Sequence, residues 1–260
     1  MIVTLSADHP GFHDRTYRAR RNAIAERAQA FQAGAPFPHV RYTPAENQVW
    51  QLAWQGLRLL HRNWVCEPLR AAQERLGLGR GALPQLSELD PWLAPTGFRM
   101  EPVPGLVEAR AFLQALSEGV FLSTQYVRHP SRPDYTPEPD VIHELVGHAA
   151  SLAVPEVAAL NRAFGAAARG ASAERMLELE RLYWWTLEFG AVLEQGRPRA
   201  LGAGLLSSAQ ELGRLQRVGV EAWSPERLAR TPYDPTQLQP ALYVAPSWEH
   251  LVRELLRWLS

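Results

Sequence analysis

Apolar residues recur at the spacing of an α-helix along most of this chain, which predicts a mainly α-helical protein with a few short β-strands. The pattern predicts helices over 14–31, 45–62, 107–116, 141–152, 173–193 and 247–259, and strands over 98–103 and 120–123. Pro44 and Ser247 suit the first positions of two of these helices, and Pro155 must interrupt the fourth. No linker or repeat divides the chain. We therefore expect a single catalytic domain over residues 1–260, large enough to enclose a pocket.

Residue composition excludes several classes of function. All 27 basic residues are arginine, so no lysine can form a Schiff base, bind phosphate in a P-loop or act as the kinase lysine. The 27 acidic side chains balance them, which argues against nucleic acid or an anionic membrane as a partner. Cys66 is the one cysteine, so a disulfide framework is excluded. Because no signal peptide or membrane-spanning apolar run is present, we expect a cytoplasmic protein.

The segment His143-Glu-Leu-Val-Gly-His148 is the first candidate for metal chemistry. Two histidines five residues apart differ by about 140° around an ideal α-helix, so they share an ion only if the helix ends or distorts, most naturally at Gly147. The His-Glu-x-x-His pattern of zinc proteases fails because Gly147 stands at its second histidine. Glu188, within an apolar and aromatic run, is the candidate third ligand, since such a carboxylate must be paired or metal-bound.

Two histidines and one carboxylate on one face of an ion favour non-haem Fe(II) with open positions for O₂. Spacing alone, however, is more typical of a structural histidine pair and of a solvated glutamate. A metal-binding module without turnover and a zinc hydrolase with Glu144 as general base are the other functional interpretations.

Residues 124–148, TQYVRHPSRPDYTPEPDVIHELVGH, closely resemble the signature of the pterin-dependent aromatic amino acid hydroxylases. Four further segments agree with that family in the same order: HPGFHDRTYRARR at 9–21, PQL at 84–86, GFRMEPV at 97–103 and GAGLLSS at 202–208. The resemblance is strongest to its short bacterial phenylalanine hydroxylases. It implies a basket of helices with short strands around a non-haem iron site.

The resemblance also implies a role for individual residues. It implies that the catalytic Fe(II) ligands are His143, His148 and Glu188. It implies that a tetrahydropterin, such as tetrahydrobiopterin, stacks on Phe112 and contacts Leu106, Val107 and Glu144. It implies that the substrate is bound by Arg128, which would hold its carboxylate, and by Thr136, Pro137, Trp184, Gly204 and Ser207. Asp140 is expected to orient a ligating histidine, to cap a helix, or both.

The implied reaction hydroxylates the ring of phenylalanine to give tyrosine, with O₂ and a reduced pterin that separate enzymes recycle. Trp184 favours phenylalanine over tryptophan, because the family's tryptophan hydroxylases carry Phe at the matching position. Pro235 stands where its tyrosine hydroxylases carry Asp, but Asp234 is one residue earlier. Tyrosine, tryptophan and meta-hydroxylation of phenylalanine therefore remain alternatives. The chain shows neither the regulatory domain nor the tetramerisation tail of animal members, so we expect a monomer.

Overall fold

The computed structural model describes residues 5, 7, 9–79, 81–235 and 237–260, and helices dominate it. The helices of eight or more residues are α1 (Arg15–Gln29), α2 (Pro44–Trp64), α3 (Glu67–Leu76), α5 (Ala109–Ser117), α8 (Pro155–Ala168), α9 (Ala173–Tyr183) and α13 (Trp248–Leu259). The shorter ones are α4 (Asp90–Leu93), α6 (Val141–His143), α7 (Ala150–Leu152), α10 (Ala203–Ser207), α11 (Ala209–Arg214) and α12 (Pro225–Leu228). Two 3₁₀ turns cover Leu86–Leu89 and Ala94–Thr96.

Two stretches are wound as π-helix, which is rare in proteins and is often found at functional sites. The first π segment (Glu144–Ala149) joins α6 to α7, so a continuous helix runs through the predicted range 141–152. Pro155 occupies the first turn of α8, where its missing N–H costs no hydrogen bond, and the predicted break is confirmed. The second π segment (Trp184–Glu188) continues α9.

Side-chain caps mark where several helices begin. Asp14 accepts a hydrogen bond from the Tyr17 amide at the start of α1, and Ser247 accepts one from the His250 amide at the start of α13. Thr43 and Glu46 form a reciprocal capping box around the start of α2. The sequence therefore predicts these boundaries well, because capping is a local interaction.

The predicted helix over 173–193 is too long. After Glu188 the chain turns at Gly190, where an added Cβ would lie 2.2 Å from the Thr186 carbonyl oxygen. Strand β3 (Ala191–Glu194) follows, and pairing with two other strands overrides the helical spacing of the sequence. The helix thus ends directly after Glu188.

The strands form two small sheets. The predicted strands are confirmed as β1 (Arg99–Pro102) and β2 (Val120–Ser123), which pair in parallel with Arg99 opposite Val120. Helix α5 connects them along the chain. The other sheet has the order β4-β3-β6-β5, with β4 (Arg197–Ala200), β5 (Gly219–Ala222) and β6 (Ala241–Ala245). The sequence pattern does not predict this second sheet.

Helix α8, which the sequence pattern does not delimit, packs one face into the core. Leu160 and Phe164 are fully buried in it. Gly165 lets α5 approach closely, since a Cβ there would lie 2.3 Å from the Ser117 amide nitrogen. Within the described residues, no helix is both long and apolar enough to cross a bilayer.

Candidate metal and substrate site

A cavity of about 730 Å³ opens beside the two π segments. Its volume is in the range of pockets that enclose small ligands. It is lined by all the residues expected to bind the metal, the pterin or the substrate: His143, His148, Glu188, Phe112, Leu106, Val107, Glu144, Arg128, Thr136, Pro137, Trp184, Gly204 and Ser207. The cavity therefore brings together residues from α5, α10, both π segments and the loop before α6.

His143 and His148 reach one face of their helix because the turn between them is a π turn. Hydrogen bonds of the i→i+5 type widen this turn, so residues five apart lie above one another. The two Nε2 atoms are 3.0 Å apart. The required helix distortion is confirmed, although the helix does not end at Gly147. This glycine instead admits α10, because a Cβ there would lie 2.7 Å from that of Ala203.

Glu188 ends the second π segment and points at the histidine pair. Its carboxylate oxygens lie 3.1 Å from His148 Nε2 and 3.7 Å from His143 Nε2. Two atoms at right angles around one ion, each ~2.1 Å from it, would be ~3.0 Å apart. The three groups are thus spaced as neighbouring ligands on one face of an ion, and their converging lone pairs need a positive charge between them. This donor set fits Fe(II).

Glu144 is a second carboxylate near the histidines, with a ligand atom within 4.8 Å of theirs. Its Oε1 already accepts hydrogen bonds from the backbone N–H and the hydroxyl of Thr124, both 3.1 Å long. Glu188 lies closer to both histidines, so it is the better third ligand. Glu144 forms part of the cavity wall beside them.

Ser207 orients the His143 ring. His143 Nδ1 donates to Ser207 Oγ at 2.8 Å, and that hydroxyl donates to the Ala203 carbonyl at 2.8 Å. The other nitrogen, Nε2, therefore carries the lone pair that faces the site. Asp140 does not contact this ring. It caps the helix by accepting the His143 amide N–H at 3.0 Å, so one of its two expected roles is confirmed and the other is wrong.

Burial and mutual charge set the protonation of these groups. Burial, then His148, lowers the pKa of His143 to about 4, which keeps its ring neutral as a metal ligand must be. Burial by itself would raise the pKa of Glu188, but the nearby His148 outweighs it and lowers the pKa of this carboxyl below its ordinary value. Burial raises the pKa of Glu144 to about 7, against the pull of His148 and Thr124.

Arg128 is almost fully buried against Asp140. Its Nε and Nη2 donate to the two carboxylate oxygens at 3.0 and 2.8 Å, while Nη1 donates to the carbonyls of Pro133 and Ser207. Among the described residues these bonds leave one Nη2 hydrogen for a ligand, since a guanidinium has five. The fork expected for a substrate carboxylate is thus occupied by Asp140.

Aromatic side chains surround the metal candidates. The Phe112 ring is half-buried and meets Phe121 and Tyr183 edge to face, with centroids 5.3 and 5.6 Å away. Phe121 also packs on the His148 ring, with centroids 4.4 Å apart. Leu106, which is 76% exposed, lies at the rim near the half-buried Val107.

Trp184 forms another wall with residues that the sequence analysis missed. Its ring stacks on Tyr233 at 4.3 Å and packs against Phe189 at 4.6 Å. The indole N–H donates to Gln239 Oε1 at 3.1 Å. Gly204 is required here, because its Cβ would lie 2.4 Å from the Phe189 ring. The adjacency of Phe189 to Glu188 is the one sequence signal that pointed to this wall.

Comparisons with known proteins agree with this arrangement. A family model described as biopterin-dependent aromatic amino acid hydroxylase matches residues 2–260. A tyrosine 3-monooxygenase of Drosophila melanogaster is 41% identical over 263 residues, which cover 98% of this chain and 45% of that protein. A chloroplastic phenylalanine 4-monooxygenase of Physcomitrium patens is 44% identical over 230 residues, covering 88% of this chain and 58% of that protein. The chain thus spans about half the length of such curated relatives.

Among solved structures, a phenylalanine hydroxylase of Chromobacterium violaceum with bound iron(III) and 7,8-dihydrobiopterin superposes with a TM-score of 0.81. It is 28% identical, and the match covers 91% of this chain and 90% of that one. The helical basket expected from the sequence is therefore confirmed.

Proposed function

This chain belongs to the biopterin-dependent aromatic amino acid hydroxylases, and we propose that it hydroxylates the ring of L-phenylalanine to L-tyrosine with O₂, Fe(II) and a tetrahydropterin. One observation carries the proposal. Two imidazoles and one carboxylate converge on a point at the wall of the cavity, with ligand atoms 3.0, 3.1 and 3.7 Å apart.

His143, His148 and Glu188 are the proposed Fe(II) ligands. The chemistry that bound Fe(II) and a reduced pterin supply is the activation of O₂. The protein's part is to hold three ligands on one face and leave the opposite positions open to the cavity. Ser207 keeps the lone pair of His143 Nε2 directed at this point. Phe121 packs against the His148 ring and limits its rotation.

The pterin is proposed to lie along Phe112, Leu106, Val107 and Glu144. A planar pterin gains about 1 kcal/mol from offset stacking on an aromatic ring beyond the area it buries. The edge-to-face contacts of Phe112 with Phe121 and Tyr183 fix the orientation of its ring before the pterin binds. Glu144, held by Thr124, presents a carboxylate to polar ring atoms of the pterin.

The amino acid is proposed to bind between Arg128 and Trp184. The remaining Arg128 Nη2 hydrogen donates to the substrate carboxylate, while Asp140 holds the guanidinium in place. Thr136 and Pro137 line the same cavity, as do Gly204 and Ser207 on α10. Trp184, stacked on Tyr233, forms a rigid wall for the substrate ring. Fixing both ends of the substrate holds the ring near the metal and excludes water.

Relatives that act on tyrosine and on phenylalanine are equally similar to this chain, so residues in the cavity must support the choice of substrate. Pro235 lines the cavity, and its side chain offers no hydrogen-bond acceptor for a phenol hydroxyl. The indole of Trp184 leaves less room for an indole substrate than a smaller ring would. Both features favour phenylalanine.

Turnover by the metal-depleted protein after addition of Fe(II) or Zn(II) tests this proposal. Each of phenylalanine, tyrosine and tryptophan is supplied with O₂ and with or without a tetrahydropterin, and products are identified by chromatography. We expect tyrosine from phenylalanine only with Fe(II) and pterin together. Product formation with Zn(II), or without the pterin, would contradict an Fe(II)- and pterin-dependent monooxygenase. Preference for tyrosine or tryptophan, or meta-tyrosine as the main product, would contradict the named reaction.

A further inference from the structure

Gln73 is a buried polar residue on α3 that contacts the backbone of the first π segment. It lies on α3 beside Leu69 and Ala72, and only 4% of its surface is exposed. Its Nε2 donates to the carbonyl oxygen of Val146 at 3.1 Å. Val146 lies in the first π segment, between the two proposed histidine ligands. The amide thus contacts the turn that brings those ligands together.

A second side chain holds the next carbonyl of the same turn. Ser151 Oγ donates to the Gly147 carbonyl at 2.6 Å. Hydrogen bonds from side chains to helical carbonyls bend or widen a helix, because they supply acceptors with donors from outside the regular ladder. Here both acceptors lie within the four residues that separate His143 from His148.

The surroundings of Gln73 indicate the role of its side-chain amide. The buried face of α3 is otherwise apolar at this point, and a buried amide is unfavourable without a hydrogen-bond partner. The amide has polar partners on two sides, His61 on α2 and the Val146 carbonyl in the π segment. The bond to the Val146 carbonyl is the one that acts on the metal site.

We propose that Gln73 is a positioning residue for the metal site: by binding the Val146 carbonyl, it holds the π turn that sets the distance between His143 and His148. The inference rests on the proposed metal site. In an ordinary α-turn the two histidines would diverge by about 140°, and one would leave the ion. Gln73 thus affects metal affinity without touching the metal.

Co(II) binding to Gln73→Met tests the proposal, with Gln85→Met as the matched control. Gln85 is a buried glutamine that does not line the cavity and that hydrogen-bonds both polar backbone atoms of Val40, at 2.9 and 3.0 Å. Both changes remove hydrogen bonds of a buried side-chain amide and should lower the melting temperature of the metal-free protein. Only Gln73→Met should weaken Co(II) binding, by about ten-fold or more, as loss of a residue that supports a ligand does elsewhere.

Ser151→Ala is a smaller change that keeps the test decisive if Gln73→Met folds poorly. It should weaken Co(II) binding and speed hydrogen exchange of the amides in Glu144–Ala149, whereas Gln85→Met should change neither. If Gln73→Met and Ser151→Ala bind Co(II) as tightly as Gln85→Met, the inference is wrong. If the wild-type protein binds no Co(II), the proposed metal site fails, and this inference fails with it.

Discussion

Glu188 shows how much one residue depends on its surroundings. In the sequence it is a carboxylate among aromatic and aliphatic residues; that contrast made it a candidate ligand, and the family resemblance implied the role. The structure places it 3.1 Å from His148 Nε2, at the end of a π segment. By contrast, the contact between Ser207 and His143 joins residues 64 positions apart, and no local pattern indicates it. Single-residue chemistry was predictable, whereas the partners that orient it depend on tertiary contacts.

Glu188→Gln should reduce metal affinity and hydroxylation together, because a neutral amide replaces the one anionic ligand. The loss of affinity should exceed the ~10–100-fold that is typical of residues that only support a ligand. Iron content after equilibrium dialysis and product formation measure the two effects. Glu174→Gln, an exposed position on α9, is the control and should change neither. Retention of wild-type iron content by Glu188→Gln would refute its role as a ligand.

Gln239→Met should weaken amino acid binding through Trp184. Gln239 accepts the indole N–H and donates to the carbonyls of Asp234 and Gln237, so it joins Trp184 to the segment that carries Tyr233. Loss of these hydrogen bonds lets the Trp184 ring, which holds the substrate ring, change its position.

We expect KM for phenylalanine to rise by about ten-fold, since leaving a buried donor unpaired costs ~1–3 kcal/mol. KM for the pterin should stay unchanged, because the Phe112 ring is held by Phe121 and Tyr183 and not by Gln239. Steady-state kinetics separate the two constants, with Gln85→Met as control. An equal rise in both constants would show that Gln239 acts only on overall stability.

At the scale of elements, the caps and breaks were predictable and the irregular turns were not. Proline and serine signals placed the starts of α2 and α13 and the break at Pro155 correctly, because they act on neighbouring backbone groups. The two π segments have no sequence period of their own. Strand β3 was mistaken for helix because its apolar residues fit both periods, and only pairing with β4 and β6 decides between them.

Gly147→Ala tests the first π segment as a unit. The added methyl would lie 2.7 Å from the Cβ of Ala203 and 2.8 Å from its carbonyl oxygen, so α10 must move away. That displacement would carry Ser207 away from His143. We expect a destabilisation of ~1–3 kcal/mol from overpacking, together with weaker metal binding.

Gly213→Ala on α11 is the matched control, since a Cβ there meets open space. It should stabilise the protein by ~0.5–1 kcal/mol through helix propensity and leave metal binding unchanged. Denaturant unfolding and metal titration of both variants provide the comparison. If Gly147→Ala is as stable as the wild type and binds metal equally well, close packing at this turn is not required.

At the scale of the whole molecule, buried polar groups tie the N-terminal segment to the cavity wall. His9 Nδ1 accepts the Gly11 N–H at 2.9 Å, and Nε2 donates to Glu138 at 3.2 Å. This pattern requires a neutral ring. Burial, and then the charge of Arg21, lowers the pKa of His9 to about 4 in the folded protein.

The stability of the protein should therefore fall in mild acid. An unfolded histidine titrates near pH ~6.5. Below that pH, His9 is protonated in the unfolded chain but stays neutral in the folded protein, so protonation favours unfolding. The contribution of neutral His9 to the free energy of unfolding is complete above pH ~6.5 and is lost progressively as the pH falls toward 4. His61, whose pKa burial also lowers, acts in the same direction.

His9→Gln should flatten this dependence, because glutamine has no proton to gain. Urea unfolding at several pH values between 4 and 7 measures the slope, and His13→Gln, at an exposed position, should keep the wild-type slope. An unchanged slope in His9→Gln would mean that other groups account for the acid sensitivity.

The origin of the oxygen atom in the product tests the central claim most directly. Wild-type protein loaded with Fe(II) and supplied with a tetrahydropterin, phenylalanine and isotope-labelled O₂ should form tyrosine that carries one labelled atom in its ring hydroxyl. Glu188→Gln, treated identically, should form little or none. Tyrosine that takes its oxygen from water, or product formation that does not depend on the pterin, would contradict the assignment of a pterin-dependent monooxygenase.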